Sequence, residues 1–256
     1  MTRPERDAEA SGDIAAILAA IAHKMSVELG AELVQVDGAI GLRYAEALSH
    51  PWPRAVELEV EILAEDLASA RQARDRILID PNETHRVSVF GCDVGADAAD
   101  IERAGYDGCW NTALLAASLA EAPRSRAADF AIERVERAEQ IDEINALDPE
   151  FPSYPRSLGR PEFIDLVGRR DGHAVAKGQI VRASGEAAYV ADMFTHPAAR
   201  GAGYASAILS ALHDGAAAFG ATRTVLIPSR AASESGFYEK RGYRRVCWRA
   251  VLLSKA

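Results

Sequence analysis

Apolar positions along the second half of the chain switch between a period of two and a period of three to four, and each switch marks an element. Ala187–Thr195 is expected to be a strand, closed by Pro197, which has no amide hydrogen to give a ladder. After Gly203 the residues Ala205, Ile208, Leu209 and Leu212 recur at helical spacing, so a helix is expected over 204–219, ending at Gly220. Strands are expected at 130–135, 173–181 and 224–227, and a helix over Ala138–Leu147. The loop 148–156 carries three prolines and two aromatics. Further helices are expected over 160–167 and 233–241, with a turn at 183–186 and a last strand around 246–253.

The first half is less sharply patterned. Residues 1–12 read as a frayed tail, followed by a helix over 13–29. That helix places Ile14, Ile17, Leu18, Ile21, Met25 and Leu29 on one face and stops at Gly30. A strand over 33–36 leads into an Asp37-Gly38 turn. His50-Pro51-Trp52-Pro53 reads as a rigid loop, after which Val56, Leu58 and Val60 alternate with glutamates as a strand does. A helix over 64–78 with Leu67, Ala70 and Ile77 inward is ended by Asp80-Pro81-Asn82, before a strand over 86–90. The stretch from Asp100 through Gly105-Tyr106 to a strand around 110–115 resembles Tyr238 through Gly242-Tyr243 to the last strand. Each has a helix end, a Gly-Tyr turn, a Cys-Trp pair and a Leu-Leu run, with the Cys-Trp pairs one residue out of step. This faint repeat suggests two related modules joined by the linker 122–126.

Composition narrows the class. With 256 residues, 48% of them hydrophobic and 26% charged, the chain is long enough for one large domain or two small ones with a real core. A net charge of −9 argues against a nucleic-acid partner. Cys92, Cys109 and Cys247 are odd in number and show no CxxC, which suits reduced thiols in a cytoplasm and no metal site. The N-terminal residues have no signal-peptide layout, and the apolar run 14–22 is too short to cross a bilayer, so no membrane partner is expected.

Candidate chemistry concentrates where the strand Ala187–Thr195 meets the following helix. A loop of small residues feeding a helix N-terminus presents unpaired amides and the positive end of a helix dipole, an anion site suited to phosphate. No Lys-Ser or Lys-Thr follows the last glycine, and G-x-G-x-x-G is not spelled, so neither common nucleotide loop fits. What stands there, Arg200-x-x-Gly203-x-Ala205 after Thr195-His196-Pro197, resembles the acyl-CoA loop of the GNAT superfamily of N-acetyltransferases, Gln/Arg-x-x-Gly-x-Gly/Ala. Gly236-Phe237-Tyr238-Glu239-Lys240-Arg241-Gly242-Tyr243 resembles that family's F-Y-x-x-x-G-F/Y ending. The element order matches over residues 129–253.

The resemblance implies a mixed α/β sheet of the acetyltransferase fold, in two GNAT-like modules. Residues 129–256 would form the acetyltransferase domain. Residues 1–121 would form a degenerate module, since 31–118 contain no such loop after a strand. It implies acetyl-CoA as cosubstrate, its pyrophosphate held by the backbone of Arg200, Gly201, Ala202, Gly203, Tyr204 and Ala205, with the Ser206 hydroxyl nearby. Amides of Phe194 and Thr195 would hold the pantetheine arm and polarise the thioester carbonyl. Tyr238 would be the proton donor to the departing thiolate, and Asp192, the one acid in its strand, the base for the incoming amine. Asp148, Glu150 and Tyr154 lie where the family binds acceptors, here a small-molecule primary amine. His173 and His213 read as surface residues, His196 as structural and Glu186 as solvated. The chain departs from the family at Ala231, where an asparagine is usual; Ser229, Ser233 or Ser235 could replace its contact. A homodimer is compatible with all of this. The alternative is a non-catalytic, regulatory acyl-CoA-binding protein.

Overall fold

The structure, a computed structural model, describes residues 3–50, 56–80, 83–91, 106–183, 186–229, 232 and 236–254. Its contacts divide the chain into two units: Met1–Leu115 with Ile227–Gly236 and Arg245–Ala256, and Ala116–Leu226 with Phe237–Arg244. Expectations at Pro51-Trp52-Pro53, Pro81-Asn82, Cys92, 100–105, Ser184-Gly185, Ala231, Ser233 and Ser235 lie outside the described residues.

Unit 1 contains α1 (Arg3–Leu29), β1 (Glu32–Val36), β2 (Ala39–His50), β3 (Val56–Ala64), α2 (Leu67–Ile77), β4 (His85–Phe90) and β5 (Tyr106–Ser118, up to Leu115). The last strand of the chain, β11 (Arg244–Ser254), enters its sheet, in the order β1-β2-β3-β4-β11-β5. β3 and β4 run parallel, joined by α2, while β11 pairs antiparallel with β4. Alternation in β3 and β4 turns Val60, Ile62, Ala64, Val87 and Val89 toward Ala70, Ala73 and Ile77 of α2. Gly41 in β2 makes room for that helix: a Cβ there would lie 2.4 Å from Ile77 Cδ1.

The opposite face of β3 and β4 carries a buried charge. Arg86 donates to both carboxylate oxygens of Glu61, at 3.1 and 2.9 Å, and the Tyr44 hydroxyl donates to Glu61 Oε2 at 3.1 Å. Glu61 is 2% exposed. The bidentate fork and the hydroxyl supply the hydrogen bonds that a buried ion pair needs to offset its desolvation.

Three expectations for this half change. α1 begins at Arg3 instead of after a frayed tail, and its stretch Ala10–Leu29 is long and apolar enough by length and composition to cross a membrane. Within unit 1, 44% of that window is buried, along with Asp13, Lys24 and Glu28. β2 has no counterpart in the sequence reading, and Ala64 closes β3 instead of opening α2, which starts at Leu67 after its cap Asp66.

Unit 2 contains β6 (Ala131–Arg134), α3 (Ala138–Leu147), β7 (Phe163–Arg170), β8 (His173–Arg182), β9 (Ala187–Thr195), α4 (Tyr204–Ala218) and β10 (Arg223–Leu226). The sheet order is β10-β9-β8-β7-β6, antiparallel except that β9 and β10, joined by α4, are parallel. Ile164 and Ile180 pack on Gly215 of α4, so the alternate residues Phe163, Asp165, Val167 and Gln179 face the other side. There Val167 joins Ile141 and Ile144 of α3 in one cluster, so the two helices cover opposite faces. The polar pair on the α3 side is satisfied: Gln179 Nε2 donates to Asp165 Oδ1 at 2.9 Å.

The helix expected over 160–167 is instead the start of β7. Its apolar residues are buried on both faces of a central strand, a pattern that carries no period of two. Nor does a helix run to Arg241. Gly236 has φ +60, residues 236–238 form a turn, and Glu239–Arg241 make a single 3-10 turn.

Candidate functional site

The organising feature of unit 2 is the end of β9. Its register against β8 slips by one residue between Gln179↔Ala191 and Lys177↔Phe194, a β-bulge that takes in Asp192. Asp192 has φ +49, a left-handed backbone that few non-glycine residues adopt. On the other side of β9, pairing with β10 ends at Val190↔Leu226, so residues 193–195 have no ladder partner on that side among the described residues. His196 N donates to Val175 O at 2.9 Å. Antiparallel alternation therefore turns the Phe194 amide toward β8 and the Thr195 amide toward the open edge. Arg200 Nε donates to the Thr195 carbonyl at 3.1 Å and pins the loop to the strand.

Beyond Pro197–Ala199, a 3-10 turn whose carbonyl at Pro197 takes the Arg200 amide at 3.3 Å, the backbone opens out. Gly201 and Gly203 have φ +86 and +87, with no atom within 4 Å of a notional Cβ at either. Conformation, not crowding, selects glycine here. Gly203 caps α4, and the first amide of the helix to find a carbonyl is that of Ala207, on Gly203 O at 3.0 Å. The N–H groups of Gly201, Ala202, Gly203, Tyr204, Ala205 and Ser206 accordingly have no acceptor among the described residues, and they lie at the positive end of α4. Tyr204 fixes that end. Its ring stacks on Phe130 at 4.4 Å, and its hydroxyl donates to Asp129 at 3.1 Å. Ser206 Oγ is already used, accepting from Arg241 Nε at 2.9 Å.

Tyr238 is 7% exposed and packs edge-on against Phe237 and Tyr243. Its hydroxyl donates to Met193 Sδ at 3.7 Å, a weak acceptor, and Met193 follows Asp192 on the bulge. The structure thus brings Tyr238 to the same strand end as Asp192 and Thr195. Burial, with a further push from Tyr189, raises the Tyr238 pKa well above the ordinary phenol value, so the proton stays on at any working pH.

Other candidates are placed differently. Asp148 is 5% exposed and paired with the buried ammonium of Lys177 at 3.1 Å. Lys177 also donates to the Phe151 carbonyl, so the pair holds the 148–156 loop down. Asn145 clamps the same loop through both backbone groups of Ser153. Glu150 is exposed and Tyr154 half-buried. Ser229 Oγ accepts from Ala232 N at 3.3 Å.

His213, expected at the surface, is 1% exposed. It sits on the buried side of α4, where its Nε2 meets the Tyr243 hydroxyl at 2.9 Å, and that hydroxyl meets Thr224 Oγ1 at 2.7 Å. Burial, helped by the charge of Arg124, holds the imidazole pKa down to about 4. The unfolded chain, with a histidine near 6.5, binds the proton first as pH falls. This contribution to stability is therefore full above pH 6.5 and is lost on acidification toward 4, by about 2 kcal/mol between pH 7 and 5. Urea midpoints of wild type and His213→Gln at both pH values read it. The variant should lose clearly less stability on acidification, and equal losses would remove His213 as the cause.

With this geometry in place, comparison with known proteins gives a consistent class. Residues 164–245 match the family model for an acetyltransferase (GNAT) domain. Acetyl-CoA is the cosubstrate of this domain. No curated protein matches the sequence. Among solved structures, a GCN5-related N-acetyltransferase from Kribbella flavida superposes with a TM-score of 0.66 at 17% identity, covering 94% of this chain and 96% of that one. A second, from Sphaerobacter thermophilus, gives 0.57 at 13% identity, with 95% and 92% covered. A functionally unknown conserved protein from Staphylococcus epidermidis gives 0.56 at 13%, with 90% and 96% covered. The fold is therefore the GNAT fold, and the likeness extends over unit 1.

Sequence reasoning did not single out Arg241 or Met193. The basic pair Lys240-Arg241 after Tyr238 was the available signal for the first; nothing marks the second.

Proposed function

We propose that the protein transfers an acetyl group from acetyl-CoA to a primary amine of a small molecule, by direct attack within a ternary complex in the cytoplasm. The observation that carries this is the run of amides from Gly201 to Ser206 at the start of α4 that have no acceptor among the described residues, next to the end of β9 beyond its last pair with β10. The residues present fit the cosubstrate: six amides for a pyrophosphate, an open strand edge for the pantetheine arm, and the Thr195 amide for the carbonyl oxygen. When bound, acetyl-CoA supplies an activated acetyl thioester. Asp192 takes the proton from the attacking amine as the C–N bond forms. Tyr238 Oη gives its proton to the sulfur as the C–S bond breaks. The left-handed backbone at Asp192 is strain of the kind that a functional requirement maintains.

In this reading unit 1 is a second, degenerate GNAT-like module. Its β3-α2-β4 repeats the parallel strand–helix–strand of β9-α4-β10, and β2 and β8 flank them antiparallel. At the start of α2 stands the side-chain cap Asp66, whose carboxylate takes the Ser69 amide at 2.7 Å, a place a phosphate would need vacant.

Thermal shift tests the cosubstrate site. Acetyl-CoA at 100 times its dissociation constant is expected to stabilise wild type by about 2.7 kcal/mol. Gly203→Glu, which puts a carboxylate at the amides and a side chain at φ +87, should abolish the shift. A wild type that gains nothing from acetyl-CoA or longer acyl-CoAs would falsify the proposal.

A further inference from the structure

Tyr243, which packs against Tyr238, is the middle member of a buried polar chain. Its hydroxyl meets groups from two other elements: Nε2 of His213 on α4 at 2.9 Å and Oγ1 of Thr224 on β10 at 2.7 Å. All three side chains are buried. His213 Nδ1 has no hydrogen-bond partner among the described residues. A buried N–H without an acceptor is the costlier orphan, so the imidazole carries its proton on Nε2. Nε2–H therefore donates to Tyr243 Oη, and the phenol proton goes on to Thr224 Oγ1. The chain runs in one direction, and a helix and a strand fix its two ends.

Tyr238 needs such support. A general acid acts only from within hydrogen-bond reach of the atom it protonates. Among the described residues the Tyr238 hydroxyl meets only Met193 Sδ at 3.7 Å, too weak an acceptor to aim it. Its carbonyl takes the Arg241 amide at 2.8 Å and the Tyr243 amide at 3.2 Å, which fixes the backbone but not the ring. The ring is set by its edge-on neighbours, Phe237 at 4.9 Å and Tyr243 at 5.5 Å between ring centres. Phe237 belongs to the same turn as Tyr238, whereas Tyr243 is tied to α4 and β10.

We propose that Tyr243, held by His213 and Thr224, is a positioning residue that sets the ring of Tyr238 for proton transfer. The assignment rests on Tyr238 acting as the proton donor to the departing thiolate. His213 stands about two and a half turns along α4 from Tyr204. One helix thus begins at the amides assigned to the cosubstrate and, through His213, fixes the ring that flanks the acid.

The test is steady-state thiol release from acetyl-CoA, with hydroxylamine, ethanolamine, benzylamine, L-lysine and spermidine as acceptors, in wild type and in a Tyr238→Phe background. Tyr243→Phe keeps the ring and removes the hydroxyl. Thr224→Val keeps the shape and removes only the far end of the chain, and Thr224→Ser keeps that hydroxyl. With Tyr238 present, Tyr243→Phe and Thr224→Val are expected to lower kcat about tenfold with KM for acetyl-CoA within about twofold, as a misplaced acid implies. Thr224→Ser should stay near wild type. In the Tyr238→Phe background the same substitutions should lower kcat no further, because no proton is left to misplace. A chain that serves the fold alone gives equal losses in both backgrounds. That result, or an unchanged kcat in both Tyr243→Phe and Thr224→Val, overturns the positioning role and leaves the acetyl-transfer reading standing. A wild type that releases no thiol with any of the five amines overturns both.

Discussion

Tyr238→Phe is expected to lower kcat for acetyl transfer by about 10²- to 10⁴-fold, the usual range for a lost general acid. Acetyl-CoA affinity and the thermal midpoint should hardly change. The phenol is 7% exposed, yet among the described residues its hydroxyl has only a thioether sulfur as partner, 3.7 Å away, so its removal costs the fold little. That separation between rate and stability is what distinguishes a catalytic hydroxyl from a packing one. Because burial holds the Tyr238 pKa above the ordinary phenol value near 10, any alkaline fall in kcat due to this group lies above pH 10. A Phe variant with wild-type turnover would leave the chain an acyl-CoA binder, or an enzyme whose thiolate leaves unassisted.

The second large effect lies in unit 1. Glu61→Ala strands the Arg86 guanidinium among buried groups and removes an acceptor of the Tyr44 hydroxyl, at an expected cost of about 3–5 kcal/mol. For a protein of this size that is a fall in thermal midpoint on the order of 10 °C. Replacing both partners, Glu61→Leu with Arg86→Met, should recover most of it, since an apolar pair of similar volume avoids the desolvation altogether. If Glu61→Ala alone costs under 1 kcal/mol by denaturant titration, the pair is solvated and does not act as a buried one.

What could be read in the sequence was governed by how many faces of each element are buried. β9, α3 and α4 were legible nearly to the residue because proline, glycine or a clean helical period bounds them. β7 was misread because Phe163-Ile164-x-Leu166-Val167 is apolar without alternation, as befits a strand covered by α3 on one side and α4 on the other. β2 was missed because Gly41 and Arg43 interrupt its pattern, the glycine serving Ile77 of α2, which lies far along the chain. At the site, the loop glycines announced themselves, but the bulge at Asp192 did not. A left-handed aspartate leaves no mark in hydrophobic periodicity, and only the register of two strands reveals it. His213 looked like a surface residue because its burial depends on Tyr243 and Thr224, brought to it from other elements.

The antiparallel pairing of β4 with β11 also bears on how the chain is made. Arg249 donates to Ser88, 161 positions earlier in the chain. At a translation rate of about 5–20 residues per second, β4 waits on the order of 8–32 s for the neighbour that covers its edge. Throughout that interval Val87, Val89 and Phe90 stand beside open backbone groups, the condition under which strands recruit the wrong partner. Unit 2, apart from its Phe237–Arg244 segment, has emerged before β11. The order of folding thus runs against the order of synthesis: the unit begun first is the last to be completed. For the nascent chain, this makes chaperone dependence and yield a property of β11 more than of unit 2.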